Sequence, residues 1–215
     1  EYLGVQADII SATEAGEKWP LLKTDDLLGA VWLSGDGKVI PKETTLALAK
    51  GAQMRGAKIC ENVETLQILH RKGRVAGVET NQGSIEAEYV VLACGMWSRQ
   101  LGLTCGVSIP LAPVEHHYVV SNPIEGAFDG LPCGRDPDAT TYFRGEGNAV
   151  VLGAFQKYTK PWLKDPIPSN FSFELLEADW EKYREPLRAG EWRIPKLKEA
   201  GYEKFVNGPE SFTPD

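Results

Sequence analysis

What this chain lacks narrows its function before any motif is considered. No apolar stretch approaches the roughly 20 residues that a membrane-spanning helix needs. The opening residues, Glu1-Tyr2-Leu3-Gly4, carry neither the basic nor the apolar region of a secretory signal. Basic charge is in deficit. The 23 Lys and Arg against 30 Asp and Glu give a net charge of −7, which argues against nucleic acid and anionic membranes as partners. Cysteine is scarce: Cys60, Cys94, Cys105 and Cys133 include no Cys-x-x-Cys pair, and no histidine stands at metal-ligand spacing. No metal site is expected. The thiols are expected to be reduced and buried, as in a cytoplasmic protein or, in a eukaryote, one of the mitochondrial matrix. Internal repeats and low-complexity tracts are absent. So is a G-x-G-x-x-G dinucleotide fingerprint, since Gly145-x-Gly147 has no third glycine and falls in a turn between two strand-like runs.

What is present is a globular chain whose 215 residues can bury the core of one large or two small domains. Residues 36–41 form a turn that sets Pro41 ahead of a helix predicted over 43–55. That helix carries Leu46, Ala49 and Ala52 on one face and is followed by Gly56 as its C-cap glycine. Strands are predicted over 57–60, 63–69, 74–80 and 84–88, with turns at Lys72-Gly73 and Asn81-Gln82-Gly83 folding them into a β-meander. The most informative stretch comes next. Val90 to Cys94 is apolar and β-rich, as expected of a strand covered on both faces. It ends in Ala93, Cys94 and Gly95, which leave almost no side-chain bulk where open α/β sheets bind ligands.

Beyond Ser98 the texture changes. Residues 103–113 read as loop, 114–120 as a strand, and 140–144 with 149–155 as a hairpin. Prolines 161, 166 and 168 mark a connector. Ser172 can cap a helix over 173–185, with Leu176, Trp180, Tyr183 and Leu187 along one face, and Trp180 and Trp192 read as helix packing. The tail, 206–215, ends in the middle of a pattern.

Several of these segments together resemble the D-amino-acid-oxidase-type FAD-dependent oxidoreductases. They are Asp36-Gly-x-x-x-Pro41, the helix with Gly51-Ala52 and Gly56-Ala57, and Val91-Leu-Ala93-Cys-Gly95-Met-Trp97-Ser98. Three more are similar to the dimethylglycine and sarcosine dehydrogenase branch, which also contains the regulatory subunit of pyruvate dehydrogenase phosphatase. These are Pro110 to Tyr118, Tyr142-Phe143-Arg144 and Asn207 to Asp215. The resemblance runs over nearly the whole chain, in order.

It implies an α/β (α+β) fold: a partial flavin-binding domain over 1–109, an antiparallel-sheet and helix substrate-binding domain over 110–205, and the start of a return to the flavin domain over 206–215. The N-terminal dinucleotide-binding βαβ unit and the family's flavin-linking histidine have no match here. The chain is therefore expected to be the middle of a longer flavoprotein and inactive by itself. The implied activity of that protein is oxidation of the C–N bond of an N-methylated amino acid, a small amine, by hydride transfer to FAD. Tetrahydrofolate is implied as a further cofactor in a domain outside these residues. The rival implication is a non-catalytic regulatory flavoprotein.

The same resemblance nominates site residues. Ala93, Gly95 and Trp97 match the turn that contacts the flavin, and Val63 matches a valine whose backbone holds the adenine end, although a valine there also serves as core. His116, first in the His-x-Tyr triplet, matches the active-site histidine. Adjacent residues on a strand face opposite ways, so only one of His116 and His117 can point into a site. A histidine with an ordinary pKa near 6.5 can keep an amine neutral, the form that gives up hydride. Tyr142 and Arg144, two apart, share a strand face. Tyr142 can hydrogen-bond amine or carboxylate, while Arg144 can either grip a substrate carboxylate or pair across strands.

Overall fold

The computed structural model describes residues 4–162, 164 and 166–213. Its first helix, α1 (Ala12–Lys18), begins where Ser11 and Glu14 cap one another. The Glu14 backbone N–H donates to Ser11 Oγ at 3.2 Å, and the Ser11 backbone N–H donates to the Glu14 carboxylate at 2.8 Å. This reciprocal box satisfies donors that a helix start leaves free, and it holds the Glu14 carboxyl below its ordinary pKa. Two short strands, β1 (Asp8–Ile10) and β2 (Ala30–Trp32), pair antiparallel on either side of it in sequence.

These elements share a unit with Glu115–Thr159 and Leu175–Gly208, and that unit carries a five-stranded sheet. Its strands are β6 (Ala112–Ser121), β7 (Gly134–Asp136), β8 (Thr141–Glu146), β9 (Ala149–Ala154) and β10 (Tyr202–Phe212), in the spatial order β10-β6-β9-β8-β7. Burial alternates strictly along β6: Glu115, His117, Val119 and Ser121 are buried, and the residues between them are half-buried. The buried face meets a core of Trp19, Val119, Phe143, Leu152, Tyr183 and Ile194.

Helix α4 (Trp180–Arg193) covers that face. Asp179 caps it, with the Lys182 N–H donating to its carboxylate at 2.9 Å. Gly190 lies so close to β9 that a β-carbon there would fall inside the Leu152 side chain. At the helix's end the buried Arg193 grips Asp26 with two nitrogens, at 2.8 and 3.0 Å, and Asp136 with Nε at 2.9 Å. A buried guanidinium needs this matching, and the contact holds the Asp26 carboxyl below its ordinary pKa.

The second unit comprises Val39–Val114, Lys160–Glu174 and the residues after Gly208. Its antiparallel meander is β3 (Thr65–Arg71), β4 (Arg74–Thr80) and β5 (Gly83–Glu86). Helix α2 (Pro41–Met54) ends on Gly56 at φ 91, with Gly56 N–H bonded to Gln53 O and Ala57 N–H to Ala52 O, a Schellman cap. A 3₁₀ turn at Gly95–Trp97 leads into α3 (Ser98–Leu103). Thr104 Oγ1, just past α3, accepts from the Ile68 N–H of β3 at 3.2 Å, and Ile68, Met96 and Leu101 are buried.

The mixed α/β, mostly antiparallel architecture matches the sequence reading, as do the meander, β6 and the β8–β9 hairpin. Other expectations are corrected. Residues 90–94 and 57–60 form no strand, and Val91 is 86% exposed. A strand exists only through neighbours that take its hydrogen bonds, and no described strand lies beside either run. The predicted apolar face of α2 is not buried, with Leu46 53% exposed. Nor are the thiols: Cys60, Cys94 and Cys133 are exposed and Cys105 is half-buried, each lying in a turn or loop. The last long helix starts at Trp180 rather than Phe173. Phe173 takes φ 55, and the Leu176 N–H donates to the Asn207 carbonyl at 2.7 Å, which ties that stretch to β10. The tail is part of β10 as far as Phe212, and Pro214 and Asp215 lie outside the described residues.

Helix propensity alone favours Gly190→Ala by about 1 kcal/mol. The Leu152 contact reverses the sign. Denaturant unfolding should show the variant less stable by about 1–3 kcal/mol, the usual range for overpacking. A variant as stable as the parent contradicts the close helix–sheet contact.

Candidate active site

The half-buried face of the five-stranded sheet gathers a cluster of aromatic and charged side chains. His116 leaves β6 on this face and Tyr142 leaves β8, with β9 between them. Gly153 of β9 stands directly opposite Tyr118 on one side and Tyr142 on the other. A β-carbon on Gly153 would occupy the Tyr142 ring. With that space free, the tyrosine lies across β9, and its hydroxyl comes within 2.9 Å of His116 Nε2. The hydroxyl donates to Nε2 in the Nδ1–H tautomer of the histidine and accepts from it in the other. Phe155 closes the cluster, with its ring 5.4 Å from both the His116 and the Tyr142 ring.

Two arginines share this face and differ in what they touch. Arg144 forms an ion pair at 2.6 Å with Glu146 of its own strand. Arg135 is opposite Tyr142 in register, and its guanidinium lies 5.1 Å from the centre of the Phe155 ring. Arg135, Gly153 and Phe155 were not singled out in the sequence. A glycine inside the run Ala149–Ala154 was a signal of close approach. The three-residue β7 shows no periodicity from which Arg135 could be read.

His117 points the other way, as adjacency on a strand requires, and is 1% exposed. Its setting starts in α4. Pro186 has no N–H to offer the Lys182 carbonyl four residues before it, and the Gln156 amide donates there instead at 2.8 Å. That turns Gln156 Oε1 toward His117 Nδ1 at 2.9 Å, so Nδ1 carries the proton. Nε2 faces Glu115 Oε2 at 3.8 Å, and that oxygen accepts from Asn207 Nδ2 at 2.9 Å. Burial holds the His117 pKa below its ordinary value, against the smaller pull of Gln156 and Glu115.

The proposed flavin residues lie in the second unit. Gly95 adopts φ 53, a left-handed conformation that favours glycine, and a β-carbon there would meet only open space. Ala93 and Gly95 are exposed, and Trp97 shows 36% of its surface, so backbone and an aromatic side chain are accessible at this turn. Val63 is half-buried just before β3. The residues fit a flavin.

Residues 1–215 match the DAO family, FAD dependent oxidoreductase. The chain belongs to that family. It is 40% identical over 213 residues to 4-methylaminobutanoate oxidase (formaldehyde-forming) of Paenarthrobacter nicotinovorans, a match covering 99% of this chain and 26% of the oxidase. It is 36% identical over 217 residues to human mitochondrial sarcosine dehydrogenase, covering 99% of this chain and 23% of that protein. The chain thus spans about a quarter of the length of these relatives. Among solved structures, L-proline dehydrogenase from P. horikoshii superimposes with a TM-score of 0.83 at 28% identity, over all of this chain and 55% of that one.

The buried His117 also sets a pH dependence. Its folded pKa is lowered, so the unfolded chain binds the proton more readily. The stability that neutral His117 contributes is present above the ordinary value near 6.5 and is lost as pH falls below it. The thermal midpoint should drop between about pH 7 and pH 5, and more steeply than in His117→Gln. Identical slopes in the two proteins would remove His117 from the acid sensitivity.

Proposed function

We propose that this chain is the central portion of a longer flavoprotein that oxidises the C–N bond of an N-methylated amino acid of the dimethylglycine or sarcosine type. The observation that carries this reading is the 2.9 Å contact between His116 Nε2 and the Tyr142 hydroxyl on an aromatic-lined sheet face. The names of the two relatives support an N-methyl amino acid as substrate. FAD, when bound, supplies the two-electron acceptor, with Ala93, Gly95, Trp97 and the Val63 backbone holding it. Tetrahydrofolate, if used, would act outside these residues.

The chain's own residues handle the proton and the orientation. With His116 in its Nδ1–H form, the Tyr142 hydroxyl donates to Nε2 and turns its oxygen lone pair outward. A proton leaving the substrate nitrogen passes to that oxygen as the hydroxyl proton moves to Nε2. The substrate nitrogen is left neutral, with a lone pair that supports loss of hydride from the adjacent carbon and formation of an iminium. Phe155 supplies an apolar wall beside the pair.

The full-length protein, reconstituted with FAD, should oxidise dimethylglycine, sarcosine or 4-methylaminobutanoate in a dye-coupled assay. His116→Ala should lower turnover by roughly 10²–10⁴-fold, the range for a lost acid–base group. His117→Gln should stay within a few-fold. A flavin-loaded protein that oxidises none of the three would favour the regulatory, non-catalytic reading instead.

A further inference from the structure

His116 and Phe155 emerge just beyond the stretch in which β6 and β9 are paired. The register of those strands runs from Val120↔Val151 to Tyr118↔Gly153. Carried two positions further, it sets His116 opposite Phe155, but β9 ends at Ala154. On the β8 side the Phe155 N–H still donates to the Thr140 carbonyl at 2.9 Å. Toward β6 a side-chain tie takes over, made by the residues that follow each of the two. Gln156 Oε1 accepts from His117 Nδ1 at 2.9 Å on the buried face, while His116 and Phe155 meet on the other. The other end of the amide reaches α4, where Gln156 Nε2 donates at 2.8 Å to the Lys182 carbonyl that Pro186 leaves free. Past Gln156 the chain turns into the exposed Lys157 and Tyr158.

Resting on the function proposed above, we propose that Gln156 is a positioning residue for the reaction. Its amide clamps the end of β9 to β6 and to α4 behind the site, and so sets where Phe155 and His116 stand in front of it. The two bonded side chains, Gln156 and His117, each follow one of the two cluster residues in the chain. A fixed distance between the first pair therefore limits the distance between the second, and Phe155 also bounds Tyr142, 5.4 Å away. The clamp needs one donor and one acceptor on the same short side chain, which a primary amide supplies without charge. It lies on the face away from the His116–Tyr142 hydrogen bond and acts only through these neighbours.

The test uses the full-length, FAD-loaded protein. Gln156→Met keeps the length of the side chain and removes both hydrogen bonds, and Gln156→Ala removes the same bonds as a second reading. Tyr183→Phe is the control. It deletes another helix-to-strand bond, from the Tyr183 hydroxyl to the Leu152 carbonyl at 2.7 Å, but within the paired part of β9. Hydrogen exchange read by mass spectrometry should be faster over 114–118 and 155–159 in both Gln156 variants, and less altered there in Tyr183→Phe. With sarcosine, the Gln156 variants should lower the rate of flavin reduction by roughly 10–100-fold, the scale of an ångström's misplacement. Their KM should stay within about three-fold. Tyr183→Phe should lower the thermal midpoint and keep the rate within about three-fold of the unmodified protein. Unchanged exchange in the Gln156 variants, a reduction rate that survives their loss, or an equal rate loss in Tyr183→Phe would each overturn the proposal. If the unmodified protein oxidises no N-methyl amine, the functional reading fails, and the exchange measurement still decides whether Gln156 clamps the end of β9.

Discussion

The hydrogen bond between Tyr142 and His116 joins two strands that are not neighbours, and it depends on β9 having no side chain where the tyrosine crosses. Adjacent strands are about 4.8 Å apart, so β8 and β6 are separated by about twice that. A tyrosine can bridge such a gap only by lying nearly flat on the strand between, and any β-carbon at Gly153 would occupy the space of its ring. The consequences extend outward. Phe155 packs on the resulting His–Tyr pair, and the Arg135 guanidinium lies over Phe155. One bare position in the sheet thus sets the geometry of the whole His–Tyr–Phe cluster.

The opposite face of the same strands is built to hold that geometry still. Leu152, next to Gly153 on β9 and so on the opposite face, is fully buried and presses against Gly190. Its carbonyl accepts from the buried Tyr183 hydroxyl at 2.7 Å. The carbonyl that Pro186 leaves free is taken by Gln156, which in turn orients His117 directly beneath the position where His116 emerges on the other side. A proline in a helix interior normally breaks a bond without replacement. Here the freed acceptor fixes a side chain of the sheet. The pleat thus separates the two histidines: His117 is buried in a hydrogen-bonded core, and His116 meets Tyr142 on the half-buried face.

Where pattern and tertiary context agreed, the sequence was legible. The alternation in 114–120, the glycine turn between β8 and β9, and the Gly56 cap all appear as read, because each is decided by local sterics or by period-two burial. The opposite facing of His116 and His117 follows from the pleat alone. Val90 to Cys94 reads as a buried strand because apolar β-branched runs favour burial, but strand formation is settled by neighbours, and none of the described strands is paired with it. Ser172 looked like a cap, yet the backbone of β10 captured the following residues and the helix waited for Asp179. The Ser11-x-x-Glu14 capping box is a helix-start signal carried by four residues alone. Arg135 had no local signal, since its place beside Tyr142 arises from a cross-strand register that no window of sequence contains.

The central claim is that the space above Gly153 creates the His116–Tyr142 pair. It is tested most directly by a crystal structure of the Gly153→Ala variant, read together with its turnover. The account predicts that the tyrosine is displaced, that the hydroxyl and His116 Nε2 separate beyond hydrogen-bonding distance, and that turnover falls in parallel. A variant that retains the hydrogen bond near 2.9 Å and full turnover would contradict it.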